Sequence, residues 1–323
     1  MKSGSNLEKV LASGNPAVTA ELGPPMSASP DEIVKKANLL KGFCDAANIT
    51  DCQTAVVRIS SIAAAKIAMD QGLEPVMQMT CRDRNRIAIQ ADLLGAAALG
   101  IKNCLCIAGD HQSFSGAGRL KGHVGAKNVY DVDSIQLVAI MKKMRDEGLQ
   151  EGGDPIHEAP EFLIGAAWTP AGDPMDFRPY RLKKKVDAGA DFIQTQGIYD
   201  LEIFKKQMAK AVELGVPERT AILGGIIVPR SAMMLKYMDK SVAGVTVPKE
   251  LIERMMKAKE AAGDDKKKMR ELQEAEGKKI AIELIKQVLD IPGVKGVHIQ
   301  AIEWETAMEP IVKEAGLYPR PEL

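Results

Sequence analysis

Residues 75–110 read PVMQMT, CRDRN, RIAIQADLLGAAALG, IK, NCLCIAGD, and this stretch decides the fold. A short run, Pro75–Thr80, gives way to a charged turn. Apolar residues then recur at helical spacing over Arg84–Leu99, and a second short run follows at Asn103–Ala108. Two short runs joined by a helix make a strand, a crossover and a second strand parallel to the first. Leu99-Gly100 closes the helix just before the second strand, with glycine where a left-handed residue is cheap.

The same alternation repeats about eight times along the chain, as a closed parallel sheet requires. Further strands are expected at Ala17–Glu21, Ala47–Thr50, Phe162–Ala167, Phe192–Gln196, Thr220–Gly225 and Gly296–Gln300. Amphipathic stretches between them include Pro30–Phe43, Ser61–Gln71, Asp133–Glu147 and Leu201–Leu214. No Pro/Ser-rich linker interrupts the pattern. The expectation is a single (β/α)8 TIM barrel over residues 1–323, with a long loop at 111–132 and a charged helical insertion at about 245–290. The apolar fraction is 46% but aromatics are only 4%, so the core must be aliphatic, as parallel barrel interiors are.

Lys+Arg and Asp+Glu are both 43, which leaves no net field to attract nucleic acid or an anionic membrane. The first residues lack a signal-peptide pattern and no apolar run is long enough to span a bilayer. Five cysteines form no CxxC pair and no even framework. Together these point to a cytoplasmic protein that binds neither nucleic acid nor membrane. Cys104 and Cys106, two apart on a strand, face one side and read as small core residues. The mixed-sign stretch from Lys257 to Lys268 reads as a helix with solvated i,i+4 pairs rather than a docking surface.

In such a barrel, polar groups at the C-terminal strand ends converge and are the first candidates for chemistry. Strand one ends in Glu21 before Gly23-Pro24-Pro25, strand three leads into Thr80-Cys81-Arg82-Asp83-Arg84-Asn85, strand four ends Ala108-Gly109-Asp110, and strand six ends Thr195-Gln196. Each alone has a plainer reading: Glu21 or Asp110 as a helix cap, Gln196 as a partner for strand-end backbone. Delivered by separate strands to one cavity, two carboxylates and an amide suit proton transfer and hydrogen bonding to a heterocycle. They suit a metal less well, since no histidine ladder accompanies them.

Those motifs, with Gly100-Ile101-Lys102-Asn103 and Lys185-Val186-Asp187-Ala188-Gly189-Ala190, resemble the methylenetetrahydrofolate reductase family in order and spacing over roughly residues 15 to 315. The resemblance implies an oxidoreductase of one-carbon metabolism that reduces 5,10-methylenetetrahydrofolate to 5-methyltetrahydrofolate by hydride transfer from reduced flavin, or runs the reverse oxidation. It places the general acid at Glu21, a second functional carboxylate at Asp110 and the pterin-contacting amide at Gln196. Thr54, Gln78, Ala108, Gly109, Asp110 and Trp168 fall at flavin-lining positions, with Arg181 and Lys185 beside the cofactor's phosphate-bearing chain.

Departures from the family pattern are specific. Gln78 stands where bacterial members carry His, and the histidine expected after Trp168-Thr169-Pro170 is missing, so FMN stands beside FAD as the flavin. The aromatic residue that packs on NADH in pyridine-nucleotide-using members is replaced near Met233-Met234. The electron donor is therefore NAD(P)H or a reduced protein, with a partner subunit and an oligomer as further expectations. His298 reads as structural, because it has no companion histidine. Gly116-Ala117-Gly118 lacks the strand-then-helix context of a dinucleotide fingerprint. Two other readings stand: a folate-binding methyltransferase barrel without redox chemistry, and a non-catalytic scaffold subunit of an electron-transfer complex.

Overall fold

The computed structural model describes residues 1–113 and 122–323. Eight parallel strands close into a barrel in chain order: β1 (Ala17–Leu22), β2 (Ala46–Ile49), β3 (Pro75–Thr80), β4 (Asn103–Ile107), β5 (Leu163–Trp168), β6 (Phe192–Gly197), β7 (Ala221–Ile227) and β8 (Val294–Gln300). Thr19 sits opposite Ala46 on one side and His298 on the other, which closes the sheet. Helix α1 (Asn6–Ser13) precedes the first strand. One helix then follows each strand in turn: α2 (Asp31–Leu40), α3 (Ser61–Asp70), α4 (Arg86–Ala98), α5 (Ser134–Asp146), α6 (Arg178–Ala188) and α7 (Leu201–Glu213). Helices α8 (Ala232–Ser241), α9 (Lys249–Glu260) and α10 (Lys266–Leu289) all lie between β7 and β8, and α11 (Met308–Glu314) ends the barrel. The fold is the expected TIM barrel, and each expected strand overlaps an observed one.

Loops that enter helices end in residues that cap them. Side chains of Ser60, Asn85, Asp133, Asp200, Ser231 and Asp265 accept from first-turn amides. Each such cap is worth about 1 kcal/mol. Alternate strand residues face outward: Val18, Ala20 and Leu22 of β1 join the aliphatic layer beneath the helices, as do Cys104 and Cys106 of β4. The inward set at the N-terminal end is a separate apolar cluster that includes Ala17, Val76, Leu105, Leu163, Phe192 and Leu223, with Leu7 and Val10 of α1 packed into it. Helix α1 thus plugs the barrel floor, its first amides held by the Glu74 carboxylate (Asn6 N 2.6 Å, Leu7 N 2.9 Å). A Cβ at Gly165 would lie 2.2 Å from the Phe192 ring, so glycine is what allows Phe192 to fill the barrel axis.

The charged stretch before β8 has two parts. Arg254 of α9 pairs with Glu276 and Glu283 of α10, and Arg270 with Glu274 one turn on. The second half of α10 buries Ile280, Ala281, Leu284, Ile285 and Val288 and serves as the barrel's own outer helix. The charged residues therefore decorate an element whose other face is core.

Candidate active site

Five strands carry, or in β2 lead directly into, a polar–x–polar pair: Thr19/Glu21, Asn48/Thr50, Gln78/Thr80, Gln194/Gln196 and His298/Gln300. Strand side chains alternate, so both members of each pair face the barrel interior. The lower members form a polar layer above the apolar plug. The upper members ring a cavity of about 460 Å³ at the C-terminal mouth. Within the lower layer, Gln194 Nε2 donates to Thr19 Oγ1 and Asn48 Oδ1, both at 3.0 Å. Asn48 Nδ2 donates back to Gln194 Oε1 at 2.6 Å, and Thr19 Oγ1 lies 3.0 Å from His298 Nδ1. Buried amides this well satisfied make a rigid floor, since any lost partner would leave a polar group stranded in low dielectric.

Glu21 is partly buried at the cavity wall, at the end of β1. Burial pushes its carboxyl up to about 7; the Gln300 amide, 3.4 Å away, draws it down, Glu303 and Glu305 push it up again, and Lys36 pulls it down. Lys36 is itself buried between Glu32 (3.1 Å), Glu303 (2.8 Å) and Glu305 (3.3 Å) and donates to the Gly23 carbonyl. A carboxyl held near neutrality is half protonated at pH 7, which is what a general acid in water needs.

The opposite wall is built by the loops after β2, β3 and β4, tied together by Arg82. Its guanidinium is buried and donates to Asp83, to the Cys52 carbonyl (3.2 Å) and to the Asp110 carbonyl (3.1 Å). Asp51 accepts from the Thr80 amide (3.0 Å) and hydroxyl (2.9 Å) and pairs with Arg84 (2.7 Å). Gly109 has φ 88° and a Cβ there would sit 3.0 Å from Thr80, so only glycine brings Asp110 to the rim. The Asp110 carboxylate accepts from the Thr54 amide at 2.7 Å. Thr54 is one of three left-handed, non-glycine residues in that loop, with Cys52 and Ala55. Such strain, of order 1–3 kcal/mol per residue, persists where surroundings over-determine it.

The structure brings Glu21, Gln78, Gly109, Asp110, Trp168 and Gln196 to one cavity. Gln196 Oε1 accepts from its neighbour's amide, Gly197 N, at 3.0 Å. Trp168 is buried, with its indole N–H on the Arg178 carbonyl (3.1 Å). Thr54 contributes through its amide on Asp110, and Ala108 is exposed beside the rim. Arg181 and Lys185, on α6, lie outside the cavity lining. Lys185 is buried with its ammonium on the Ala167 carbonyl; burial lowers it to about 8, helped by Arg181. Of the 111–132 loop, the far end returns across the site: His123 N donates to Ala55 O (3.0 Å), Val129 N to Arg82 O (2.7 Å) and Tyr130 Oη to Gly109 O (3.1 Å). Gly116-Ala117-Gly118 lies outside the described residues.

Sequence reasoning gave no role to Asn48 or Gln300, saw Thr50 and Gln194 only as polar residues near strand ends, and weighed His298 without a partner. Their signal was the polar–x–polar spacing within otherwise apolar strands, which marks two inward layers.

The family model for methylenetetrahydrofolate reductase matches residues 6–316. This chain belongs to the methylenetetrahydrofolate reductase family. Among curated methylenetetrahydrofolate reductases, "Methylenetetrahydrofolate reductase 1" of Schizosaccharomyces pombe is 26% identical over 255 residues, 78% of this chain and 37% of the relative. "Probable methylenetetrahydrofolate reductase (NADPH)" of Caenorhabditis elegans is 24% identical over 268 residues, 81% of this chain and 35% of the relative. The chain thus spans little more than a third of the length of these reductases. A solved Clostridium thermocellum protein, described as binding two copies of 5-methyl-5,6,7,8-tetrahydrofolic acid, superposes with TM-score 0.61 at 14% identity, covering 96% of this chain and 98% of its own. It shares the barrel fold of this chain. Among the described residues no helix is long and apolar enough to cross a membrane.

Proposed function

We propose that this chain catalyses the flavin-dependent reduction of 5,10-methylenetetrahydrofolate to 5-methyltetrahydrofolate, with the reverse oxidation available to the same site. The observation that carries the reading is Glu21: a carboxyl held near pH 7 in a barrel-mouth cavity that it shares with amides, hydroxyls and, on the opposite wall, Asp110 and Arg82. The family and the folate-binding Clostridium protein of like fold support the substrate class.

The donor set fits a flavin. Gln78, Asn48, Thr50 and Thr80 offer uncharged donors and acceptors, as an edge alternating carbonyls with ring nitrogens requires. A cavity of about 460 Å³ lies in the range of small-molecule sites. When bound, the flavin, FAD or FMN, supplies the electron pair that reduces the methylene carbon. The protein's residues do the rest. Glu21 gives its proton to the substrate nitrogen that departs as the five-membered ring opens, and the neighbouring Gln300 amide orients the carboxyl. Asp110 sets a fixed negative charge at the rim, which favours the cationic, ring-opened substrate. Gln196, its oxygen engaged by Gly197, has its NH2 left to donate to a pterin edge.

The test is an absorbance spectrum of the purified protein, identification of the released cofactor by mass, and anaerobic titration with NADH, NADPH and a reduced iron–sulfur protein or flavoprotein. Bound flavin bleached by one of these donors supports the reading and names the electron source. A protein that binds no flavin after reconstitution, yet is active on folates, would shift the assignment to a methyltransferase. Loss of complex assembly on changing Lys257–Lys279, with turnover indifferent to Glu21→Gln, would shift it to a scaffold.

A further inference from the structure

His298 sits in the middle of the polar floor, 2% exposed, and lines the cavity. Its hydrogen-bond partners fix which ring nitrogen carries the proton. Gln194 Nε2 donates to Thr19 Oγ1, so the Thr19 hydroxyl has its own proton left to give. The atom it meets is His298 Nδ1, at 3.0 Å. Nδ1 is therefore the acceptor, and the ring proton lies on Nε2. Among the described residues no side chain hydrogen-bonds Nε2, nor is it one of the buried side-chain atoms sealed without a partner. The small exposure of the ring is exposure to the cavity.

We propose that His298 is a ligand-contacting residue: a neutral imidazole whose Nε2–H is presented through the cavity floor to a carbonyl oxygen or unprotonated ring nitrogen at the edge of a bound heteroaromatic ring. This deepens the proposed function, because the pyrimidine-type edges of flavin and of pterin both offer such an acceptor. Burial holds the ring neutral by lowering it to about 4, against a smaller upward pull from the Thr19 backbone. Among nearby groups, Gln194, Asn48 and Thr19 are uncharged, so no carboxylate in the layer draws a second proton onto the imidazole. The reciprocal amide pair of Asn48 and Gln194 sets the polarity of the whole chain. Turning both amides over would reverse every bond and put the proton on Nδ1.

The test is nitrogen-15 NMR of histidine-labelled full-length protein, with His298 assigned by difference from His298→Phe, titrated with FAD, FMN and then 5,10-methylenetetrahydrofolate. The expected result is the Nε2–H tautomer in the free protein, a change in that nitrogen's shift when one ring occupies the site, and weaker binding of that ring by His298→Phe, by about 5- to 100-fold. The flavin and folate arms show which ring takes the bond. An Nδ1–H tautomer overturns the proposal, and so does an Nε2 signal unmoved by every ligand that binds. The NMR arm uses the unaltered protein, so misfolding of the variant leaves the answer intact. Failure of any flavin to bind would count against the proposed function, while the folate arm would still judge His298.

Discussion

At the scale of single residues, the role proposed for Glu21 works against stability. A carboxyl raised from its ordinary range to about 7 is one whose ionised form the fold disfavours. Its contribution is fully present below pH 4.5, the unfolded value, and is lost as pH rises through 7. Glu21→Gln is therefore expected to raise stability at pH 8, by up to about 3 kcal/mol, while the advantage fades toward pH 5. Denaturant unfolding at the two pH values checks this. The same change is expected to slow the folate half-reaction by about 100- to 10,000-fold, read by stopped-flow absorbance, with flavin content unchanged. Lys36 tunes the acid from behind: its charge favours ionised Glu21, so Lys36→Met is expected to move the pH midpoint of that half-reaction upward. A downward shift or none would show that Lys36 serves only its ion pairs. Glu21, Asp110 and Gln196 were legible because they end their strands. The hydrogen-bonded floor that Thr19 and Gln194 share was not, because its members sit mid-strand, where a polar residue reads as noise until its partner two positions on is counted.

Among elements, the strands were legible almost residue by residue because barrel strands are short aliphatic runs bounded by turns, as at Pro75–Thr80. Helix α1 and the second role of α10 were harder to see. The first is a short plug whose partners, Val76, Phe192 and Leu223, are spread over the chain. The second mixes a charged face with a buried one, so charge count alone describes half of it. Gly277 shows what composition hides. In a helix interior glycine is unfavourable by about 1 kcal/mol relative to alanine, and propensity alone would favour the exchange. Yet a Cβ there would lie 1.7 Å from the Pro229 carbonyl oxygen, where α10 crosses the loop after β7. Gly277→Ala is expected to destabilise by about 1–3 kcal/mol in denaturant unfolding, the usual range for overpacking. A stabilised variant would mean that the helix can move off that loop freely.

Over the whole molecule, the barrel separates stability from chemistry along its axis. An apolar plug closes the N-terminal end, a hydrogen-bonded polar layer lies above it, and the cavity opens at the C-terminal mouth where loops carry Asp110 and Arg82. Equal numbers of basic and acidic residues agree with a site built for a small molecule rather than a polyanion surface. The family resemblance reached across almost the whole chain and the family match covers the same span, while Arg181 and Lys185 stand apart from the cavity that holds the other candidates. The measurement that tests the account most directly is anaerobic: reduce the protein-bound flavin with dithionite, mix with 5,10-methylenetetrahydrofolate, and follow the return of flavin absorbance against pH. The account requires reoxidation with stoichiometric 5-methyltetrahydrofolate, falling off above pH 7 as Glu21 loses its proton and losing that dependence in Glu21→Gln. Reduced flavin that stays bleached in the presence of the folate, or a profile indifferent to Glu21, would contradict it.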